Sequence, residues 1–196
     1  MLTRNHVRTV WTLVAVGALA ATAVFATGAP AGAKTASSGT ALANLKVTED
    51  QVSIKVKGAS SFVDAKDGQA LHQGDALKTD ADGRAEIDYT DGSLTRLGGS
   101  TVFTISKLTS ERGGRQTQGT LSVGETWNRA AKVSETGSFS VKAGGTTAAV
   151  EGTAFVVKCV PKTDGSKEVT CTVTAVVDDI KVSSDDWDVT SVTNAP

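Results

Sequence analysis

Residues 71–105 read LHQGDALKTDADGRAEIDYTDGSLTRLGGSTVFTI, and their pattern indicates how the whole chain is built. Apolar and polar side chains alternate through AEIDY at 85–89, the two-residue period of a strand with one buried face and one face in water. The pair Asp91-Gly92 tolerates positive φ and closes a tight turn, after which Leu94–Leu97 returns as the partner strand. The stretch is a meander of short strands without a helical period.

The same pattern continues on both sides of this stretch. Alternation recurs at 52–56 and 139–141, and residues 147–157 form an apolar run that predicts one central strand bent at Gly152. The polar residues 107–118 predict a hairpin tip. With 20 glycines and 3 prolines, the chain is predicted to be all-β, an antiparallel β-sandwich or compact β-roll of about ten short strands.

Five ordered blocks of sequence resemble the FecR domain family of bacterial extracytoplasmic proteins. They are GDALKT at 74–79, GRA at 83–85, DGSLTRL at 91–97, GTLSVGETW at 119–127, and FSV at 139–141 leading to AVEGTAFVV at 149–157. The resemblance covers roughly residues 56–182 and implies a part in signalling across the cell envelope. The family pattern usually has an arginine before the second Gly-Thr pair, where this chain has Glu151, so a partner contact inherited there would reverse its charge.

The N-terminal segment predicts export. Residues 1–8 are short and basic, residues 9–26 are apolar, and Ala31 or Ala33 offers a small-residue cleavage site. A signal peptide over 1–33 is the leading interpretation, and an uncleaved anchoring helix is the alternative. About eight residues precede the apolar segment, too few for the cytoplasmic sigma-regulating part that the resemblance would otherwise imply. Residues 34–46 are then a flexible linker, 47–184 the FecR-like β domain and 185–196 an acidic tail.

The two cysteines lie at equal distances from Gly165, at the centre of an evident hairpin loop. Cys159 and Cys171 should therefore face each other across an antiparallel pair of strands, near disulfide range. An exported protein with only these two cysteines is predicted to pair them. A redox or metal role is disfavoured because there is no CxxC spacing and no nearby histidine.

Catalytic constellations are missing from the sequence. His72 is the only histidine after the predicted signal peptide, which excludes a metal site built on two or three imidazoles. There is no nucleophile elbow, phosphate-binding loop or HExxH motif, and most aspartates stand at turns, where they serve the backbone. The chain is thus predicted to be no enzyme, with no cofactor and no metal.

Two kinds of binding function remain. One is an extracytoplasmic protein-interaction module in cell-envelope signalling or assembly, and the other is a carbohydrate or cell-wall binding module. The formal net charge of −1 argues against a nucleic-acid partner. Membrane contact is expected only through the N-terminal segment, if that segment is not cleaved. The candidate partner contacts are Arg112, Arg115, Trp127, Glu151 and Trp187.

Overall fold

The computed structural model describes residues 42–49, 51–111, 114–131, 137–166, 168–177, 181–184 and 192–194. This part of the chain contains fifteen strands and no helix, which confirms the predicted all-β class. The predicted signal peptide lies outside the described residues. Among the described residues, no helix is long and apolar enough to cross a membrane.

The strands follow one another through turns, several of which are only two or three residues long. They are β1 Ala43–Glu49, β2 Val52–Lys55, β3 Val63–Asp64, β4 Ala70–Leu71, β5 Ala76–Thr79, β6 Arg84–Tyr89, β7 Leu94–Leu97, β8 Val102–Glu111, β9 Gly114–Arg129, β10 Ser138–Ala143, β11 Thr146–Val150, β12 Ala154–Pro161, β13 Val169–Val177, β14 Lys181–Ser184 and β15 Val192–Asn194.

Strand β9 is long enough to belong to two sheets, and it joins them into one curled sheet. Sheet A has the order β4-β1-β6-β7-β9-β12-β13-β15, and sheet B has the order β3-β2-β5-β8-β9-β10-β11-β14. The strand changes sheet near Gly124. This residue has a φ of 97°, which glycine adopts readily and other residues adopt only with strain. Within the described pairings, β9 with β10 and β13 with β15 are parallel and the others antiparallel.

Alternate residues of both sheets point into one apolar core. Phe103, Phe139 and Phe155 are fully buried there. Tyr89 meets Phe139 edge to face, with 5.7 Å between ring centroids, and Phe139 meets Phe155 in the same way at 6.3 Å. Such pairs add specific geometry to the burial of apolar area. Burial also raises the pKa of the Tyr89 hydroxyl, because the charged form would lose its hydration.

The predicted single strand over residues 147–157 is wrong. The structure has two strands there, β11 in sheet B and β12 in sheet A, separated by Gly152 at a φ of 130°. The apolar run is explained by both strands contributing to the core, since Ala148, Val150 and Phe155 are all buried. Gly152 lies in the turn where the chain passes from sheet B to sheet A, and it does not bend a single strand.

Three other boundaries differ from those predicted. Strand β1 begins at Ala43, inside the predicted 34–46 linker, because Leu45 is buried and pairs with Ile87. In the predicted 185–196 tail, β15 returns to pair with β13. The β8–β9 hairpin is present as predicted, but most of residues 107–118 lie in its two strands and not in its tip. The described residues form fifteen strands, whereas about ten are predicted. The difference comes in part from two-residue strands such as β3 and β4.

The predicted disulfide is present. Cys159 of β12 lies directly opposite Cys171 of β13, and the two Cα atoms are 4.1 Å apart. Cys159 is buried in the core cluster, whereas Cys171 is half-buried at its edge. The bridge fixes the register of the β12–β13 hairpin, which closes one end of the core.

Candidate functional site

One row of side chains crosses the outer face of sheet A. Strand register places its members opposite one another in succession on β1, β6, β7, β9, β12 and β13. They are Lys46, Glu86, Arg96, Trp127, Val156 and Thr174. The residues beside them in each strand, such as Leu45, Ile87 and Phe155, are buried in the core, so period-two alternation turns the row outward.

The charged half of the row is held by direct contacts. Arg96 Nε donates a hydrogen bond of 2.7 Å to Glu86 Oε2, and Lys46 Nζ lies 3.5 Å from Glu86 Oε1. The Arg96 hydrogen bond, with help from the charges of Lys46 and Arg96, holds the pKa of the Glu86 carboxyl below its usual range. This ion pair orients the guanidinium toward the next residue of the row.

That next residue is Trp127. The guanidinium carbon of Arg96 lies over its ring, 5.2 Å from the ring centroid, in a cation–π arrangement. Val156 is half-buried beside it on β12, and Val176, at the irregularity in the β12–β13 register, is 40% exposed. Lys158 Nζ and Glu125 Oε2 form a 3.2 Å ion pair on the neighbouring row. The rows thus surround an aromatic and apolar centre with charged groups.

We call this area the Trp127 surface. It comprises Glu86, Arg96, Glu125, Trp127, Val156, Lys158, Thr174 and Val176. Tryptophan and arginine dominate the energetic centres of protein interfaces, where a rim of paired polar groups surrounds an apolar middle. The surface has this composition, and the two rigid rows of the sheet position it in advance of any contact.

Arg115, a predicted partner contact, is used inside the domain instead. Its Nη1 lies 3.3 Å from Asp91 Oδ1, its Nη2 donates a 2.6 Å hydrogen bond to Thr90 Oγ1, and its side chain is 17% exposed. These contacts join the β8–β9 hairpin to the β6–β7 turn. The sequence did not reveal this role, because the two segments are neighbours only in the folded sheet.

Of the three candidate contacts that the structure describes, Trp127 alone lies on the Trp127 surface. Glu151 is exposed in the turn between β11 and β12. Arg112 and Trp187 lie outside the described residues. Sequence reasoning missed Arg96, which a strand-register argument pairing 91–97 with 119–127 would have placed beside Trp127.

Several carboxylates that could have served chemistry are bound to backbone groups. Asp75 is buried and accepts hydrogen bonds of 2.9 Å from the backbone N–H groups of Lys57 and His72. Asp91 accepts a 2.8 Å bond from the backbone N–H of Ser93 within its turn. In the described part of the chain, no three histidine, cysteine, aspartate or glutamate side chains cluster as metal ligands would. These acids stabilise turns and loops.

The chain folds into an all-β domain with a structural disulfide, and the Trp127 surface lies on the outer face of its sheet A. The family model described as "FecR protein" matches residues 75–177, and the chain belongs to this family. Searches of curated proteins and of solved structures gave no match. Domains of this family are typically extracytoplasmic, and the Cys159–Cys171 disulfide is consistent with such a compartment.

Proposed function

We propose that this domain is a non-catalytic extracytoplasmic module that binds a protein of the cell envelope, in signalling or assembly, through the Trp127 surface. The observation that carries the proposal is the half-buried Trp127, which lies between Arg96 and Val156 on the outer face of sheet A. A rigid aromatic anchor loses little conformational freedom on binding, which favours affinity.

The contacts of Trp127 favour a protein partner over a glycan. Sugar stacking needs an open ring face, whereas the Arg96 guanidinium already lies over one face of the indole ring. Arg96 is in turn bound to Glu86, so moving it aside would break a 2.7 Å charged hydrogen bond. Tryptophan and arginine side by side are instead typical of the energetic centre of a protein interface.

Site-specific photo-crosslinking tests the proposal. A photoreactive amino acid replaces Thr174, in the row of Trp127, or Thr104, which is also half-buried and outward-facing but lies on sheet B. We expect the probe at 174 to give an adduct with one defined envelope protein, and the probe at 104 to give no adduct with that protein.

Two results would count against the proposal. Equal adducts from both positions would show that contact is not confined to the Trp127 surface. Retention of the chain by purified cell-wall material, lost in Trp127→Ala and without any protein adduct from position 174, would support the carbohydrate-binding alternative.

A further inference from the structure

The sheet positions that surround Trp127 carry more positive than negative charge. Two of its outward neighbours lie on β9 itself, and the others lie on the adjoining strands on either side. They are Glu125, Arg129, Leu94, Arg96, Gly98, Ala154, Val156 and Lys158. Three of these residues are cations and one is a carboxylate. Because Glu125 is already paired with Lys158 at 3.2 Å, the excess charge belongs to the two arginines.

Arg129 is exposed at the end of β9. Its cross-strand neighbours, Leu94 on β7 and Ala154 on β12, are both buried and apolar. In the same row, Asp88 lies beyond Leu94 on β6, about two strand spacings or 10 Å from Arg129. No described carboxylate lies within ion-pair distance of Arg129. Its guanidinium is therefore available to an anion from outside the domain.

Arg96 also keeps donors for such an anion, although Glu86 binds it. The bond to Glu86 uses Nε, and no described acceptor is hydrogen-bonded to either Nη group. Glu86 is shared with Lys46, so that one carboxylate balances two cations. The Arg96 side chain is 59% exposed. Stacking over Trp127 occupies the face of the guanidinium and leaves the N–H groups at its edge for a hydrogen-bond acceptor.

The two arginines are close enough to act on one group. Arg96 lies directly opposite Trp127, and Arg129 is two residues further along β9, so the arginines are diagonal neighbours across β7 and β9. Diagonal positions on a sheet are about 7–8 Å apart, a span that long side chains bridge. A carboxylate beside the indole ring would therefore lie within reach of both guanidinium groups.

We propose that the Trp127 surface recognises an acidic segment of its protein partner, in which a carboxylate stands next to an apolar side chain. The carboxylate accepts hydrogen bonds from Arg96 and Arg129, and the apolar side chain packs against Trp127 and Val156. This inference rests on the proposed protein-binding function and names the chemistry of the partner. Charge-assisted bonds from arginine to carboxylate are strong and geometrically specific. Because the arginines are exposed, the contact weakens as salt is added.

The test measures binding of a short fluorescent peptide, in which glutamate and leucine alternate, to the purified full-length chain. The comparison peptide has glutamine in place of every glutamate. The test variant is R129Q. Its matched control is K78Q, which removes one positive charge from an exposed lysine of sheet B that also has no described carboxylate within ion-pair distance.

We expect the glutamate peptide to bind at low salt and the glutamine peptide to bind at least about tenfold more weakly. R129Q should bind the glutamate peptide about tenfold more weakly than wild type, because one of the two guanidinium groups is lost. K78Q should stay within about twofold of wild type. Thermal unfolding checks that both variants fold.

Three results would overturn the inference. They are a lack of binding to the glutamate peptide, equal binding of the two peptides, and an equal loss of binding in R129Q and K78Q. The last would show that overall charge, and not the arginines beside Trp127, governs the interaction. An envelope-protein adduct from position 174 together with any of these results would leave the protein-binding proposal standing and remove only the acidic character of the partner.

Discussion

Replacing Gly124 by alanine is expected to lower the free energy of unfolding by about 3 kcal/mol, from left-handed backbone strain combined with overpacking. A Cβ atom at this position would lie 2.3 Å from Thr101 Oγ1 and 2.5 Å from Thr101 Cα. The backbone would have to move, and β9 crosses from sheet B to sheet A here. The loss should be measured by denaturant unfolding.

Gly92→Ala is the matched control for this prediction. Gly92 has a similar φ of 85°, but a Cβ atom there would meet nothing within 4 Å. It should therefore show the strain of the left-handed backbone alone, about 1 kcal/mol. Equal losses in the two variants would show that the close approach of Gly124 to Thr101 does not matter to stability.

Asn128→Leu is expected to cost about 3 kcal/mol, because it leaves buried hydroxyl groups without partners. Asn128 is fully buried on β9; its Oδ1 accepts a 3.0 Å hydrogen bond from Thr95 Oγ1, and its Nδ2 donates one of 3.0 Å to Thr126 Oγ1. Both threonines are also fully buried, so water cannot replace the lost partner. Thermal and denaturant unfolding of the variant measure the loss.

A variant that removes the partners as well tests the reason for this loss. In the quadruple variant Y89F/T95V/N128L/T126V, the hydroxyls that would be unsatisfied are gone, including that of buried Tyr89, which contacts Thr95 Oγ1 at 3.5 Å. This variant should therefore be more stable than Asn128→Leu alone. If the quadruple variant is less stable than the single one, unfavourable packing of leucine, and not the broken network, explains the loss.

Local patterns in the sequence predict much of this fold. The alternation at 85–89 and the Asp91-Gly92 turn give β6 and β7, because period-two burial and positive φ are properties of a few adjacent residues. Symmetry about Gly165 gives the Cys159–Cys171 bridge for the same reason. The FecR resemblance also rests on short local blocks of sequence.

These local patterns do not predict which strands pair when they are distant in the sequence. The apolar run at 147–157 does not show that its two halves enter different sheets, since a buried strand of either sheet has the same composition. The sequence predicts a linker over residues 43–46 because their partner, β6, lies some 40 residues further along the chain. The Trp127 surface likewise depends on four strand pairings, which no single stretch of sequence contains.

The affinity of the Trp127→Ala variant for the envelope protein recovered by crosslinking tests the central claim most directly. Trp127 is expected to be the energetic centre of the contact, so the variant should bind at least about thirtyfold more weakly than wild type. Phe62→Ala, which removes a half-buried aromatic ring next to Lys55 of sheet B, is the control and should bind within about threefold of wild type. Wild-type affinity in a folded Trp127→Ala variant would contradict the account.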